Sequence, residues 1–307
     1  MQQFDQTQMP FDVLRNVAQA IQFNSEEYIL SAIENAARYF ESRRIAQGKA
    51  KHINNYTSSF AKLYSYVADG GIAPFSIFAE KGNSKLPSFV AFSSLPGVTC
   101  PGAGECLQFC YSFKAWRTPS AFMRQAQNAY ILRFNPQLIV SALDRLMLKK
   151  KFRNGFDLRL YVDGDFSSVS DFALWQGILK DYPTIRAYGY SKSFAEILAY
   201  ADSGASFASN YVLNVSSGHN HNDAMVKRIE ALPITRGAFV AVPVAHKGRS
   251  IDHANTEHRK LVQSATKANT SAAKAFACPG QCNTCTSAGH ACGSMKFKGI
   301  TIGIAVH

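Results

Sequence analysis

Seven cysteines carry the most chemistry in this chain, because of how they are spaced. They form two groups, Cys100, Cys106 and Cys110, then Cys278, Cys282, Cys285 and Cys292, with none before residue 100 or between 111 and 277. The first group lies in a stretch rich in Gly and Pro, where glycine allows the tight backbone path that brings three sulfurs together. The second group begins Cys-Pro-Gly, continues with three- and two-residue spacers, and has His290 beside Cys292. Thiolates at these spacings suit zinc or an iron–sulfur cluster, both soft acceptors. An odd count in a chain of 307 residues is not a disulfide framework, and clustered thiols in a reducing cytoplasm point to metal. The bland alternative is a set of buried free cysteines. Two four-iron clusters need eight ligands, so seven cysteines leave one place for a histidine, water or substrate.

Other polar residues recur where strands should end. Asp163, Gly164 and Asp165 follow an apolar run at 156–162. The glycine between two carboxylates lets the chain approach a polar ligand; equally, Asp165 caps the next helix or loop. Tyr190 and Lys192 close the run 185–190, Asn214 through His221 follow 211–215, and His246, Lys247 and Arg249 follow 239–242. Together these put cations and hydrogen-bond donors on one face, as a small or anionic substrate requires. Asp163, Asp165 and Lys192 are candidate catalytic groups, and Tyr111, Gly164, Tyr190, Asn214 and His246 candidate cofactor-binding groups. His219 and His221 read as surface residues or as metal ligands.

The elements that must position these residues alternate between strand and helix from residue 86 onward. Strands are expected at 88–93, 156–162, 185–190, 211–215, 239–242 and 299–306, with helices at 120–132, 136–150, 169–179, 194–200 and 223–232. Such alternation implies a parallel sheet, because each crossover returns to the same end. The expected fold is α/β, a partial or open (β/α) barrel whose chemistry gathers at the strands' C-terminal ends. No GxGxxG follows the first strand, which argues against a dinucleotide fold. Residues 274–277 read as a short strand, since Pro279 pushes Cys278 out of helical conformation; Cys278 then opens a loop on the same face as Cys100. Residues 1–85 form a helical N-terminal segment and 86–307 the barrel-like domain. In that segment Phe11, Leu14, Val17, Ala18 and Ile21 share one helix face, and Ile29, Ile33, Ala36, Ala37 and Phe40 another. Tyr56, Phe60, Leu63, Tyr64 and Val67 mark a third helix, ended by Asp69 and two glycines.

Composition bounds the rest. Hydrophobic residues at 47% and charged ones at 18% are globular values that exclude wholesale disorder or coiled coil. The formal charge of +12 favours polyanions, nucleic acid among them, and is also what an ordinary basic surface gives. No signal peptide is expected from the first residues, and no apolar stretch reaches membrane-spanning length.

Two resemblances follow from these residues. Cys110-Tyr111 before a basic stretch, the strand end at 163–166, the aromatic strand ending at 190–193, and the late cysteines before a terminal apolar strand resemble the phage "gene product 88" family. That resemblance covers residues 86–307 and implies a cysteine-bound metal and a mobile-element origin. The layout of three cysteines after the first strand of a parallel barrel is also similar to the radical S-adenosylmethionine superfamily. There, three thiolates hold a [4Fe–4S] cluster and the fourth iron takes the cofactor, though the spacers of five and three residues differ from the usual pattern. The expected function is an iron–sulfur protein, radical-type or redox. The alternative is a zinc-stabilised nucleic-acid-binding or host-interacting protein.

Overall fold

The computed structural model describes residues 11–47, 51–80, 89–244, 255–270, 272–280, 282, 285–286 and 290–306. Its centre is a sheet of seven strands: β1 (Phe89–Ala91), β2 (Asp157–Leu160), β3 (Arg186–Ser191), β4 (Tyr211–Ser216), β5 (Thr235–Val242), β6 (Ala275–Ala277) and β7 (Thr301–Ala305). Every pairing between these strands is parallel and the order is β1-β2-β3-β4-β5-β7-β6, so the sheet is open, with β1 and β6 at its edges and Ala79 bridged antiparallel to Ala91 of β1. This is the α/β architecture with an open, barrel-like sheet expected from the alternating pattern. The short strand at 275–277 is present, and Cys278 leaves its C-terminal end.

Three helices, α1 (Phe11–Phe23), α2 (Glu26–Gln47) and α3 (Lys51–Asp69), precede the sheet. The apolar stripes read from the sequence are buried, with two exceptions: Ala37 is half-buried, and Tyr64 is 39% exposed while Tyr66 takes the buried place. These helices share one core with the α/β part. Phe11 stacks on Trp116 at 5.0 Å, the Tyr56 hydroxyl donates to the Trp116 carbonyl, and Arg133 donates to the carbonyls of Ile21 and Asn24 at 2.9 and 2.6 Å.

The crossovers are α4 (Pro119–Phe134) and α5 (Gln137–Met147) before β2, then α6 (Val169–Asp181), α7 (Phe194–Asp202), α8 (Asp223–Ala231) and α9 (Thr256–Thr270). Val90, Leu158, Leu160, Ala187, Leu213 and Val215 point toward the helices of the main core. On the outer side of β5, β6 and β7, Val240, Val242, Ala277 and Ala305 pack on Val262 of α9. The alternate residues Phe89, Tyr188, Tyr190, Val212, Phe239, Phe276 and Ile302 face the other way, toward the second cysteine segment.

Crossover handedness explains that division. From β1 to β5 each step moves one strand along the sheet in the same direction, and right-handed crossovers then lie on one face. The step from β6 to β7 runs back by one strand, so a right-handed connection must pass over the opposite face. That connection is the segment carrying Cys278, Cys282, Cys285 and Cys292.

Candidate metal centre

The first cysteine loop leaves β1 and folds over the C-terminal ends of β3 and β4. Thr99 Oγ1 donates to the Leu95 carbonyl at 2.7 Å, and the amides of Gly104 and Cys106 donate to the Gly218 carbonyl at 3.0 and 3.2 Å. Ala103 pairs with His219 in an isolated antiparallel bridge. His221 Nε2 lies 2.7 Å from the Lys192 carbonyl oxygen, directly beneath Gly102. The two histidines therefore clamp the loop to the end of β3, with their rings against Phe194 at 4.8 Å each. Cys100, Cys106 and Cys110 are half-buried free thiols. Burial raises the Cys100 thiol far above its ordinary value, with Asp165 and Cys110 adding to it, and also raises Cys110, to which Cys106 and Asp163 contribute.

Asp163, Gly164 and Asp165 stand at the end of β2 as expected, against this loop. Gly164 has φ +80°, and a Cβ there would lie 2.8 Å from Thr99 Oγ1, so the missing side chain lets the first loop close on β2. The Asp163 carboxylate accepts from Gln125 at 3.0 Å, and burial raises its pKa against opposing contributions from Ser112, Arg159 and Ser93. Asp165 is fully buried and accepts three hydrogen bonds, from Ser191 Oγ (2.7 Å), the Lys192 amide (2.7 Å) and the Phe166 amide (2.8 Å). It ties β2 to β3. The cap of α6 is Ser168, whose hydroxyl accepts from the Asp171 amide. Lys192 Nζ donates to Ser216 Oγ at 2.9 Å, and its charge reaches Cys100 and Asp165. The Tyr111 hydroxyl donates to the Val162 carbonyl at 3.3 Å. His246 lies outside the described residues.

The second group lies on the inner face. Cys278, Cys282, Cys285 and Cys292 pack with Tyr188, Tyr190 and Phe276. The Gly280 amide donates to Cys278 Sγ at 3.4 Å and the Ala291 amide to Cys285 Sγ at 3.2 Å. Burial pushes the Cys278 thiol up to about 11, with Cys282 and Cys285 among the charges that raise it. Cys292 is pushed to about 12 by burial, then by Cys278. Buried thiols held this far from ionisation are poor nucleophiles, and a bound cation reverses that preference. His290 does not point its Nδ1 at the sulfurs: that atom accepts from the Gly293 amide at 3.1 Å, and the ring packs between Phe89 and Tyr188 at 4.7 Å from each.

Tyr190 and Asn214 belong to this second group and not to the first. Tyr190 hydrogen-bonds the Cys292 sulfur and packs on Phe239 at 4.5 Å. Asn214 Nδ2 donates to the Cys292 carbonyl at 2.9 Å and to the Gly189 carbonyl at 3.0 Å. Its Oδ1 accepts from Nε of Arg236 at 2.6 Å. Arg236, wholly buried, also donates to the carbonyls of Ile300 (2.5 Å) and Ala238 (3.0 Å). Arg159, on β2, lies over the Tyr190 ring at 4.8 Å and faces Tyr111 on one side and Cys282 on the other. Sequence reading missed both arginines; the available signal was a cation at an alternating position of an otherwise apolar strand.

The donor set suits a metal, although among the described residues no three His, Cys, Asp or Glu side chains stand close enough together to hold an ion. Seven cysteines outside any disulfide are soft donors, and two of the sulfurs already accept backbone N–H groups. A family whose description is Gene product 88 matches residues 77–297. The chain belongs to the Gene product 88 family. The match takes in both cysteine groups, the Asp163–Asp165 turn and β1 to β6 of this family member, and leaves α1–α3 outside. No curated protein and no solved structure matches the chain. The comparisons lend no support to the radical S-adenosylmethionine superfamily. No helix among the described residues is long and apolar enough to cross a membrane.

Proposed function

We propose that this chain is an iron–sulfur protein of a phage or mobile element, working in a reducing cytoplasm. One observation carries the reading: both cysteine segments leave the same end of a single parallel sheet, Cys100 following β1 and Cys278 following β6, and none of the seven cysteines is in a disulfide. Cys278, Cys282, Cys285 and Cys292 would hold a closed four-thiolate centre on the inner face. Cys100, Cys106 and Cys110 would hold a second centre one thiolate short, beside Asp165 and Lys192. When bound, a [4Fe–4S] cluster supplies one-electron chemistry. The chain's own residues do the rest. Tyr190 and the Gly280 and Ala291 amides donate hydrogen bonds to sulfur, Asp165 fixes the spacing of β2 and β3, and Lys192 supplies a cation for a small anionic substrate.

Anaerobic purification followed by iron, sulfide and zinc analysis tests this. The expected result is a coloured protein with iron and acid-labile sulfide, losing part of each in Cys100→Ser and part in Cys282→Ser. A colourless, zinc-loaded protein would remove the iron reading and favour the zinc-stabilised nucleic-acid-binding alternative, for which the +12 charge predicts binding that weakens steeply with salt. S-adenosylmethionine as a ligand of the three-cysteine centre is tested in the same preparation. Addition should alter the electron paramagnetic resonance signal that Cys100→Ser abolishes.

A further inference from the structure

Helix α4 carries three buried amides, Gln125, Gln127 and Asn128, and burying an amide is costly unless its polar groups are matched. Two of them tie down backbone. Gln127 accepts from the Phe75 amide at 2.8 Å and donates to the Phe75 carbonyl at 2.7 Å, and Asn128 Nδ2 donates to the carbonyls of Ile77 and Ser93 at 2.9 Å each. Gln125 joins two side chains instead. Its Oε1 accepts from Trp116 Nε1 at 2.9 Å, and its Nε2 donates to Asp163 Oδ2 at 3.0 Å.

Chemistry fixes the direction of this relay. An indole N–H can only donate, so Gln125 must turn its carbonyl oxygen to Trp116 and its NH₂ group to Asp163. A flipped amide would set two donors against each other at one end and two acceptors at the other. Trp116 is held firmly in turn: Phe11 stacks on it at 5.0 Å, Phe113 and Phe122 meet it edge-on at 5.2 Å each, and the Tyr56 hydroxyl donates to its carbonyl. Phe11 and Tyr56 belong to α1 and α3, outside the residues that the family match covers.

The two carboxylates at the end of β2 therefore differ. Asp165 is buried and tied by Ser191 and Lys192 to the end of β3 and by the Phe166 amide to its own turn. Asp163 is half-buried, accepts from Gln125, and borders Ser93, Ser112 and Arg159 beside the first cysteine loop. Resting on the reading of these strand ends as the working site, we infer that Gln125 is the positioning residue of Asp163. It aims that carboxylate at a ligand bearing an N–H or O–H donor, and the N-terminal helices hold the aim through Trp116.

Two measurements on the full-length chain test this. The chain has two tryptophans, so its nitrogen–proton correlation spectrum holds two indole signals, and Trp116→Phe assigns them. Trp175 donates to the Tyr161 hydroxyl and serves as the internal control. A carboxylate polarises the amide that donates to it and so strengthens the bond at the amide's other end. Asp163→Asn should shift the Trp116 indole proton upfield and leave the Trp175 signal in place. In a Gln125→Met background, which keeps the bulk of the side chain and removes the relay, the same change should shift neither. An unmoved Trp116 signal in Asp163→Asn overturns the inference, as does an equal shift with Gln125→Met present. Where Gln125→Met does not fold, Asp163→Asn alone decides. The second measurement is coupling of glycinamide by a water-soluble carbodiimide, located by mass spectrometry. Asp163 should be labelled and Asp165 protected, and Gln125→Met should change the labelling of Asp163 alone. Protection of Asp163 in the wild type removes the site reading, and the inference with it. A labelled Asp163 that Gln125→Met leaves unchanged keeps the site reading and overturns the positioning role.

Discussion

Replacing Tyr161 by phenylalanine probes how the Asp163–Asp165 turn is held against the first cysteine loop. Tyr161, the residue after β2, has φ 51°, a left-handed conformation that costs a non-glycine residue about 1–3 kcal/mol. Its buried hydroxyl donates to both oxygens of Asp171, at 2.6 and 2.8 Å, and accepts from Trp175 Nε1 at 3.2 Å. Burial raises the Asp171 carboxyl from the ordinary 3.8 to about 6, against the lowering effect of Tyr161. The folded pKa lies above the unfolded one, so the native state binds the extra proton and stability falls as pH rises from about 4 through about 6. At about 1.4 kcal/mol per pH unit, that rise makes carrying the charge cost about 3 kcal/mol at pH 8. Tyr161→Phe removes the donor that eases this charge and strands the Trp175 N–H. At pH 8, a lost hydrogen bond to a charged group plus an orphaned donor should cost about 2–4 kcal/mol. At about pH 5, where Asp171 carries a proton, only neutral hydrogen bonds are lost, and the cost should be about 1–2 kcal/mol. Urea denaturation at the two pH values, followed by tryptophan fluorescence, measures the difference. A penalty that is equal at both, or larger in acid, would refute the reasoning.

Three other substitutions follow from the same geometry. Gly164→Ala forces a side chain into φ +80° and to 2.8 Å from Thr99 Oγ1, and should cost about 2 kcal/mol or more, read as a lowered midpoint in thermal unfolding. Asn214→Ala strips Arg236 Nε and the carbonyls of Gly189 and Cys292 of their partner at once, and should cost about 2–4 kcal/mol in urea titration; a loss below 1 kcal/mol would mean that water replaces it. Gly102→Ala would place a Cβ 1.7 Å from the Lys192 carbonyl oxygen, breaking the clamp between the first loop and β3. Metal analysis of this variant should show loss from the first group with the second retained.

Much of this arrangement was legible in the residue order. The apolar runs at 156–162 and 211–215, flanked by polar turns, give β2 and β4, and the buried stripes of α1 and α2 are those read from periodicity. Pro279 after Cys278 marks the strand that begins the second group. Helix α9 was not legible, because only Val262 and Thr266 are buried along it and no apolar stripe recurs at helical spacing. Strand order was hidden for a different reason: nothing in a sequence of β6 then β7 tells that β7 lies inside and β6 at the edge. Tyr190 and Lys192, two residues apart, were read as lining one pocket. Residues at that spacing share a face only while the strand continues, and β3 ends at Ser191, so Tyr190 goes to the inner face and Lys192 to the loop clamp.

The inverted position of β7 also sets an order of assembly. β6 pairs only with β7 among the described strands, and β7 alone joins β6 to β5. As the chain leaves the ribosome, β1 to β5 can zip together in turn, each on its predecessor, while β6 emerges with no strand to receive it. The cysteines of the second group are therefore made before β7 slots in and draws them down onto the sheet. Closure of this segment over the sheet is a late event, and a chain cut short before β7 would forfeit the two pairings that β7 alone provides.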